Sequence, residues 1–272
     1  MSSYGQRIRN YLSCYFIQDT KQLKYLSMFV SIDQSSSKIC TERLPDDMRI
    51  IASSNQGILC CLRRRRSIVR YYACKPATKQ WKSLPNPKLR CKTAAIAIMV
   101  LSSSPLRYKI VRLSRRGNVG SISKYKFEIF DSKIWSWKET QDVELPYYEV
   151  ICSSNKAVSA NNSVYWLTSH NNVLAFHEPE GTFQKFPLPE EVLQDKNKYS
   201  FKYKQLVEYK GRLGLVCNTK EGDTELWIMY ENTINNWLNW RKEMVMDIGS
   251  IVRRVGMRYA DVAGFYNEGI AF

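Results

Sequence analysis

The chain has 272 residues, 44% hydrophobic and 12% aromatic, with 41 Lys and Arg against 25 Asp and Glu for a net charge of +16. The aromatic and apolar content excludes a chain that is disordered throughout, and the absence of any apolar run of about eighteen residues excludes a membrane-spanning helix. The charge excess favours acidic partners, whether nucleic acid, an anionic surface or an acidic protein, and says nothing of fold.

Met1 to Asn10 is polar and basic, and no apolar stretch of signal-peptide type follows it. The chain therefore reads as cytoplasmic or nuclear. Strand signals dominate the rest. Ile58 to Leu62, Tyr108 to Leu113, Lys126 to Phe130 and Leu226 to Tyr230 are short runs rich in β-branched and aromatic residues, several alternating with period two. Turn clusters separate them at Ser53 to Gly57, Arg116-Gly117-Asn118, Asn161-Asn162-Ser163, Lys210-Gly211 and Glu221-Gly222-Asp223. Helical periodicity is confined to Pro189 to Asn197, one or two turns after a proline. The eight cysteines include no Cys-x-x-Cys pair and the chain has only two histidines, so no zinc site is expected. Cys60, Cys61 and Cys217 lie inside apolar runs and read as small buried hydrophobes.

A strand, a polar turn and an aromatic recur along the chain. The aromatics are Trp81, Trp135, Phe183 and Trp237, spaced by 54 (81 to 135), 48 (135 to 183) and 54 (183 to 237) residues. A repeat of about fifty residues has the scale of a kelch-type propeller blade. The expected fold is an all-β, kelch-like β-propeller of short antiparallel strands whose end blades are incomplete. Its aromatics are expected to be core spacers between blades, because large aromatics dominate interior packing.

Several segments carry a family resemblance. Ile50 to Cys61, with Ser53-Ser54-Asn55-Gln56-Gly57-Ile58-Leu59-Cys60, resembles the opening of the F-box-associated domain of plant F-box proteins. Pro76-Ala77-Thr78-Lys79-Gln80-Trp81-Lys82-Ser83-Leu84-Pro85 is similar to a second segment of that family, with Lys75 where Asn is usual. Tyr108 to Arg112, Phe127 to Ser132 with Trp135, Ser163 to Leu167 and Leu226 to Met229 resemble four further segments in the same order. The resemblance implies a non-enzymatic domain that recruits an unknown target protein, the substrate-receptor half of an SCF-type ubiquitin ligase. A Skp-type adaptor and a cullin would join only through an F-box. Residues 1–45 read as an extension with a first partial blade and no F-box. Residues 46–272 read as the F-box-associated domain, stopping mid-strand.

No catalytic set emerges. His170 and His177 lack an orienting acid, and no glycine loop for phosphate is present, so neither cofactor nor metal is expected. The sharpest local feature is Arg63-Arg64-Arg65-Arg66, which reads either as a solvated hairpin loop or as a grip on an acidic segment. Arg112, Arg115 and Arg116 take the corresponding inter-strand place in the second repeat. If both loops emerge on one face, they form a single basic patch for an acidic protein partner. The alternative is a basic nucleic-acid-binding protein or a stand-alone interaction scaffold.

Overall fold

The computed structural model describes residues 14–21, 24–31, 264–266 and 269–271, and residues 47–246 apart from gaps at 55, 66–67, 153–155, 195–198, 220–222 and 233–236. An amino-terminal hairpin pairs β1 (Cys14–Lys21) with β2 (Lys24–Ser31). Four antiparallel sheets follow. The first blade is β3 (Met48–Ser53), β4 (Leu59–Arg65), β5 (Ile68–Lys75) and β6 (Gln80–Ser83). The second is β7 (Thr93–Ser103), β8 (Leu106–Val119), β9 (Ile122–Asp131) and β10 (Ser136–Glu139), with β11 (Val143–Pro146) continuing along β9. The third is β12 (Val158–Ala160), β13 (Ser163–Leu167), β14 (Asn172–His177) and β15 (Thr182–Pro187). After α1 (Glu190–Gln194) comes the fourth, β16 (Tyr199–Tyr209), β17 (Arg212–Thr219), β18 (Thr224–Asn232) and β19 (Trp237–Met246). A final hairpin joins β20 (Gly264–Tyr266) to β21 (Gly269–Ala271), with β20 packed beside β16.

Period-two alternation explains why these sheets stack. In the second blade Ile98, Ile110 and Phe130 face the first blade's Cys60, Tyr71 and Ala73, while Val111, Leu113 and Phe127 face the third blade's Val164, Trp166 and Phe176. In the third, Tyr165, Leu167, Val173 and Ala175 turn to the fourth blade's Leu213, Leu215 and Trp227. A sheet buried on both faces has no polar side, which is why Ser163-Val164-Tyr165-Trp166-Leu167 is buried at every position. Cys60, Cys61 and Cys217 are fully buried, as their apolar runs require.

The structure realigns the repeat. Cross-strand register pairs Trp81 with Cys74, Trp137 with Phe130 and Phe183 with Phe176. The counterpart of Trp81 is therefore Trp137, not Trp135. Trp135 instead closes the preceding turn with φ 53, as Lys79 does with φ 53 and Gly181 with φ 67. Their amides donate to the carbonyls of Asp131, Pro76 and His177, respectively. A left-handed residue is needed there to reverse the chain, and glycine meets that need without strain only in the third blade. The core-spacer expectation holds for Phe183, which packs on Phe127 and Phe176. It fails for Trp81, which is 38% exposed. The Trp237 side chain lies outside the described residues. The helix foreseen over 189–197 forms over Glu190–Gln194, with Val192 buried; residues 195–197 lie outside the described part.

Candidate functional site

Antiparallel order places the turn between the second and third strands of the first and second blades, and the crossover 84–92 that joins them, at one end of their sheets. The crossover 84–92 fixes this for the first two blades. Leu84 N–H donates to the Tyr71 carbonyl at 2.9 Å, and the Tyr71 hydroxyl meets Thr93 Oγ1 at 3.1 Å. At its far end the Arg115 N–H donates to the Lys92 carbonyl at 3.2 Å. The β4–β5 and β8–β9 turns thus emerge on the same face.

Arg63, Arg64 and Arg65 lie in a strand, not a loop. β4 continues through Arg65, which pairs with Ile68. Arg66 lies outside the described residues. Arg63 Nε donates to Asp47 Oδ2 at 2.6 Å and Arg65 Nε to the same oxygen at 3.2 Å. The hydrogen bond from Arg63, joined by Arg65, holds the Asp47 carboxyl below its ordinary range. Arg64 is exposed. Arg70 sits directly across from Arg63, a like-charge pairing that costs energy unless an anion lies beside it. Asp47 supplies one such anion, shared by Arg63 and Arg65, while Arg64 stays exposed.

Arg115 and Arg116 are exposed on this face. Arg112 is not, contrary to its expected place in a surface patch: it is 3% exposed and ion-paired to Glu128, which is fully buried. Its guanidinium also donates to Thr93 Oγ1 at 2.8 Å and to the carbonyls of Leu89 and Cys91. Arg112 is the post to which the crossover is tied. Both faces of β8 are covered, with Tyr108 and Ile110 buried on one side and Val111 and Leu113 on the other, so Arg112 is buried whichever face it takes.

The sequence reading missed three further cations on this face. Lys88, Arg90 and Lys92 lie exposed on the crossover between the two turns. Their alternation in Lys88-Leu89-Arg90-Cys91-Lys92 was the available signal. It also missed a set of exposed apolar residues at the same end: Ile68 at 57%, Ile122 at 37%, and Tyr147 and Tyr148 each at 56%.

Elsewhere the chemistry is structural. Ser163 Oγ and His177 Nδ1 meet at 3.0 Å, but the other ring nitrogen faces Gln184 and Ser163 is buried. An amide cannot stabilise an imidazolium as a carboxylate would. Burial pushes the Cys60 thiol up to about 12, far from nucleophilic range. Among the described residues, no three His, Cys, Asp or Glu side chains converge as metal ligands.

Fold and surface together define an antiparallel β-propeller with Arg64, Arg65, Arg115 and Arg116 at the ends of β4 and β8 on one turn face. The profile of the F-box associated beta propeller domain matches residues 12–254, and the chain belongs to that family. Two F-box proteins of Arabidopsis thaliana are similar to it. One is 38% identical over 109 residues, spanning 37% of this chain and 58% of its own length. The other is 26% identical over 231 residues, spanning 77% of this chain and 63% of its own length. The chain thus spans less than two thirds of the length of these curated relatives. Among solved structures, TolB from Acinetobacter baumannii aligns with a TM-score of 0.46 at 12% identity, covering 86% of this chain and 53% of that one.

Proposed function

We propose that the chain recognises a target protein that is acidic where it docks, in the manner of the substrate receptor of an SCF-type ubiquitin ligase. One observation carries this reading: the Arg64–Arg65 and Arg115–Arg116 ends of β4 and β8 share a face, with Arg90 between them on the crossover. Guanidinium groups bind carboxylates through paired hydrogen bonds and are favoured at protein interfaces. Membership of a family found in F-box proteins supports the ligase role. A Skp-type adaptor and a cullin would be engaged only through an F-box, not through the propeller. The propeller itself is non-catalytic in this reading, and its place is the cytoplasm or nucleus.

The test is affinity capture from plant extract with the full chain and with a variant carrying Arg64→Glu, Arg65→Glu, Arg115→Glu and Arg116→Glu. A target should be captured by the parent chain alone, and its ubiquitination should fall when the variant replaces the parent in cells. Equal capture by both would sink the assignment of this face.

The net charge of +16 supports a second reading, nucleic-acid binding. Phosphate-driven binding weakens steeply with salt. Failure to bind RNA or DNA at low ionic strength eliminates it.

A further inference from the structure

We propose that the face bearing Arg115 and Arg116 takes an extended acidic segment with one large apolar anchor residue, which seats on Ile122, Tyr147 and Tyr148. The inference rests on the protein-recognition reading above and supplies the chemistry of the partner.

Within the second blade, β8 and β9 project beyond β7. β7 ends its pairing with β8 at Thr93 opposite Ser114, yet β8 runs on to Val119. At the tip Ile122 is flanked by Val119 on one side and Pro146 on the other. The Tyr147 N–H then donates to the Ser121 carbonyl at 2.9 Å, so the chain leaves the sheet at the tip. A three-stranded platform ends there in an aliphatic side chain and two tyrosines.

The tyrosines are held in place. Tyr147 and Tyr148 meet edge to face at 5.4 Å, and Tyr148 leans on His170 of the third blade at 4.8 Å. Aromatic side chains fixed before binding give up little conformational freedom when a partner arrives. Large apolar groups exposed beside arginines are the composition of interface centres. At the opposite end of these two blades Ile134 and Leu106 are also exposed, but Lys133 stands beside Ile134 and the arginine beside Leu106, Arg107, is half-buried, so that end presents no exposed arginine among the described turn residues.

Register sets the spacing of the motif. Arg115 lies opposite Tyr125, and Arg116 stands in the bulge before Gly117, which lies opposite Lys124, so the two arginines sit two to three residues along β9 from Ile122. At the rise of a strand that is about 7–10 Å, so an extended partner would place its acidic group two to three residues from its anchor. A nucleic acid fits less well. Bases need open ring faces on which to stack, whereas Tyr147 and Tyr148 meet edge to face and Tyr148 also leans on His170. Ile122 offers a base no ring on which to stack.

The probes are fluorescein-labelled octapeptides: glutamates with one Trp, the same peptide with Ser for Trp, and lysines with one Trp, together with a uridine oligonucleotide. Fluorescence anisotropy is read with the full chain. The Trp-bearing acidic peptide should bind roughly tenfold more tightly than its Ser counterpart, the scale of a modest interface anchor. Tyr148→Ser, and separately Tyr147→Ser, should shrink that difference while leaving the Ser peptide unchanged. Arg115→Ser with Arg116→Ser should weaken both acidic peptides alike. Equal binding of the two acidic peptides, or a difference that survives both tyrosine variants, overturns the anchor and leaves the acidic-partner reading standing. Acidic peptides that bind no better than the lysine peptide overturn the recognition reading itself. Tightest binding of the oligonucleotide, lost in the tyrosine variants, assigns the surface to nucleic acid instead.

Discussion

The indole N–H of Trp137, on the outer strand of the second blade, donates to the carbonyl oxygen of Pro85 at 2.7 Å, where the first blade's chain departs for the next. Trp240 repeats the contact two blades on, reaching the carbonyl of Pro187 at 3.0 Å. Each proline stands beside a buried leucine, Leu84 at 4% exposure and Leu188 at 2%. The proline cannot continue a ladder as donor, so it ends the strand, and its carbonyl becomes the acceptor that fastens one blade to the next.

Trp137→Phe keeps most of the buried area but leaves the Pro85 carbonyl without its donor. It should cost about 1–2 kcal/mol by the penalty for an unmet buried acceptor. Trp137→Ala also opens a cavity against Tyr71 and Phe130 and should cost about 3–5 kcal/mol. Trp240→Phe should cost less than Trp137→Phe, because Trp240 is only partly buried and water can replace its donor. Urea midpoints of the three variants check the order.

Much of this was legible in the sequence. Strands such as Tyr108 to Leu113 announce themselves by residue type, and the fifty-residue recurrence gives the blade. The register was not legible: Trp135 and Trp137 are two residues apart, and only the left-handed turn at Trp135 shows that Trp137 is the repeat position. The candidate site was half legible. A run of four arginines is visible as text, but whether a lone arginine such as Arg112 is buried depends on whether both faces of its strand are covered. Tyr147 and Tyr148 carry no periodic signal, because their exposure follows from the chain leaving β11 at the tip.

Arg112 and Glu128 form a buried ion pair that also holds the crossover, with the Leu89 N–H donating to Glu128 Oε1 at 3.2 Å. Arg112→Met strands a buried carboxylate and should destabilise the protein by about 3–5 kcal/mol. Arg112→Lys should rescue little, since one ammonium cannot replace a planar fork that serves Thr93, Leu89, Cys91 and Glu128 together. The double variant Arg112→Met with Glu128→Leu should be more stable than Arg112→Met alone. A double-mutant cycle by denaturant unfolding measures this, and a double variant weaker than the single would contradict it.

Glu149 should make the fold acid-sensitive. Burial pushes its carboxyl up, yet hydrogen bonds from Lys185, Thr168 and Asn172, at 2.9, 2.6 and 2.9 Å, together with the Lys185 charge, outweigh that and hold it below its ordinary range. A carboxyl depressed in the folded state contributes stability in full above its unfolded value of about 4.3, and that contribution is lost as pH falls through the folded value. Glu149→Gln should therefore be less stable than the parent at pH 6, with a shallower fall in urea midpoint below pH of about 4.3. Parallel curves for parent and variant would exclude Glu149 as a source of the acid sensitivity.

Gly214 marks a close approach in the fourth blade, where β17 runs between Val207 of β16 and Ile228 of β18. A Cβ at this position would stand 3.0 Å from Val207 Cγ2 and 3.2 Å from Ile228 Cδ1. Val207 and Ile228 are both buried and cannot swing into solvent. Gly214→Ala should thus destabilise by about 1–3 kcal/mol through overpacking, despite alanine's better strand entropy. Val207→Ala removes the nearest methyl, so the pair Gly214→Ala with Val207→Ala should be less destabilised than the sum of the single variants. Simple additivity in thermal unfolding would show instead that the blade relaxes around the new methyl without using the space that Val207 vacates.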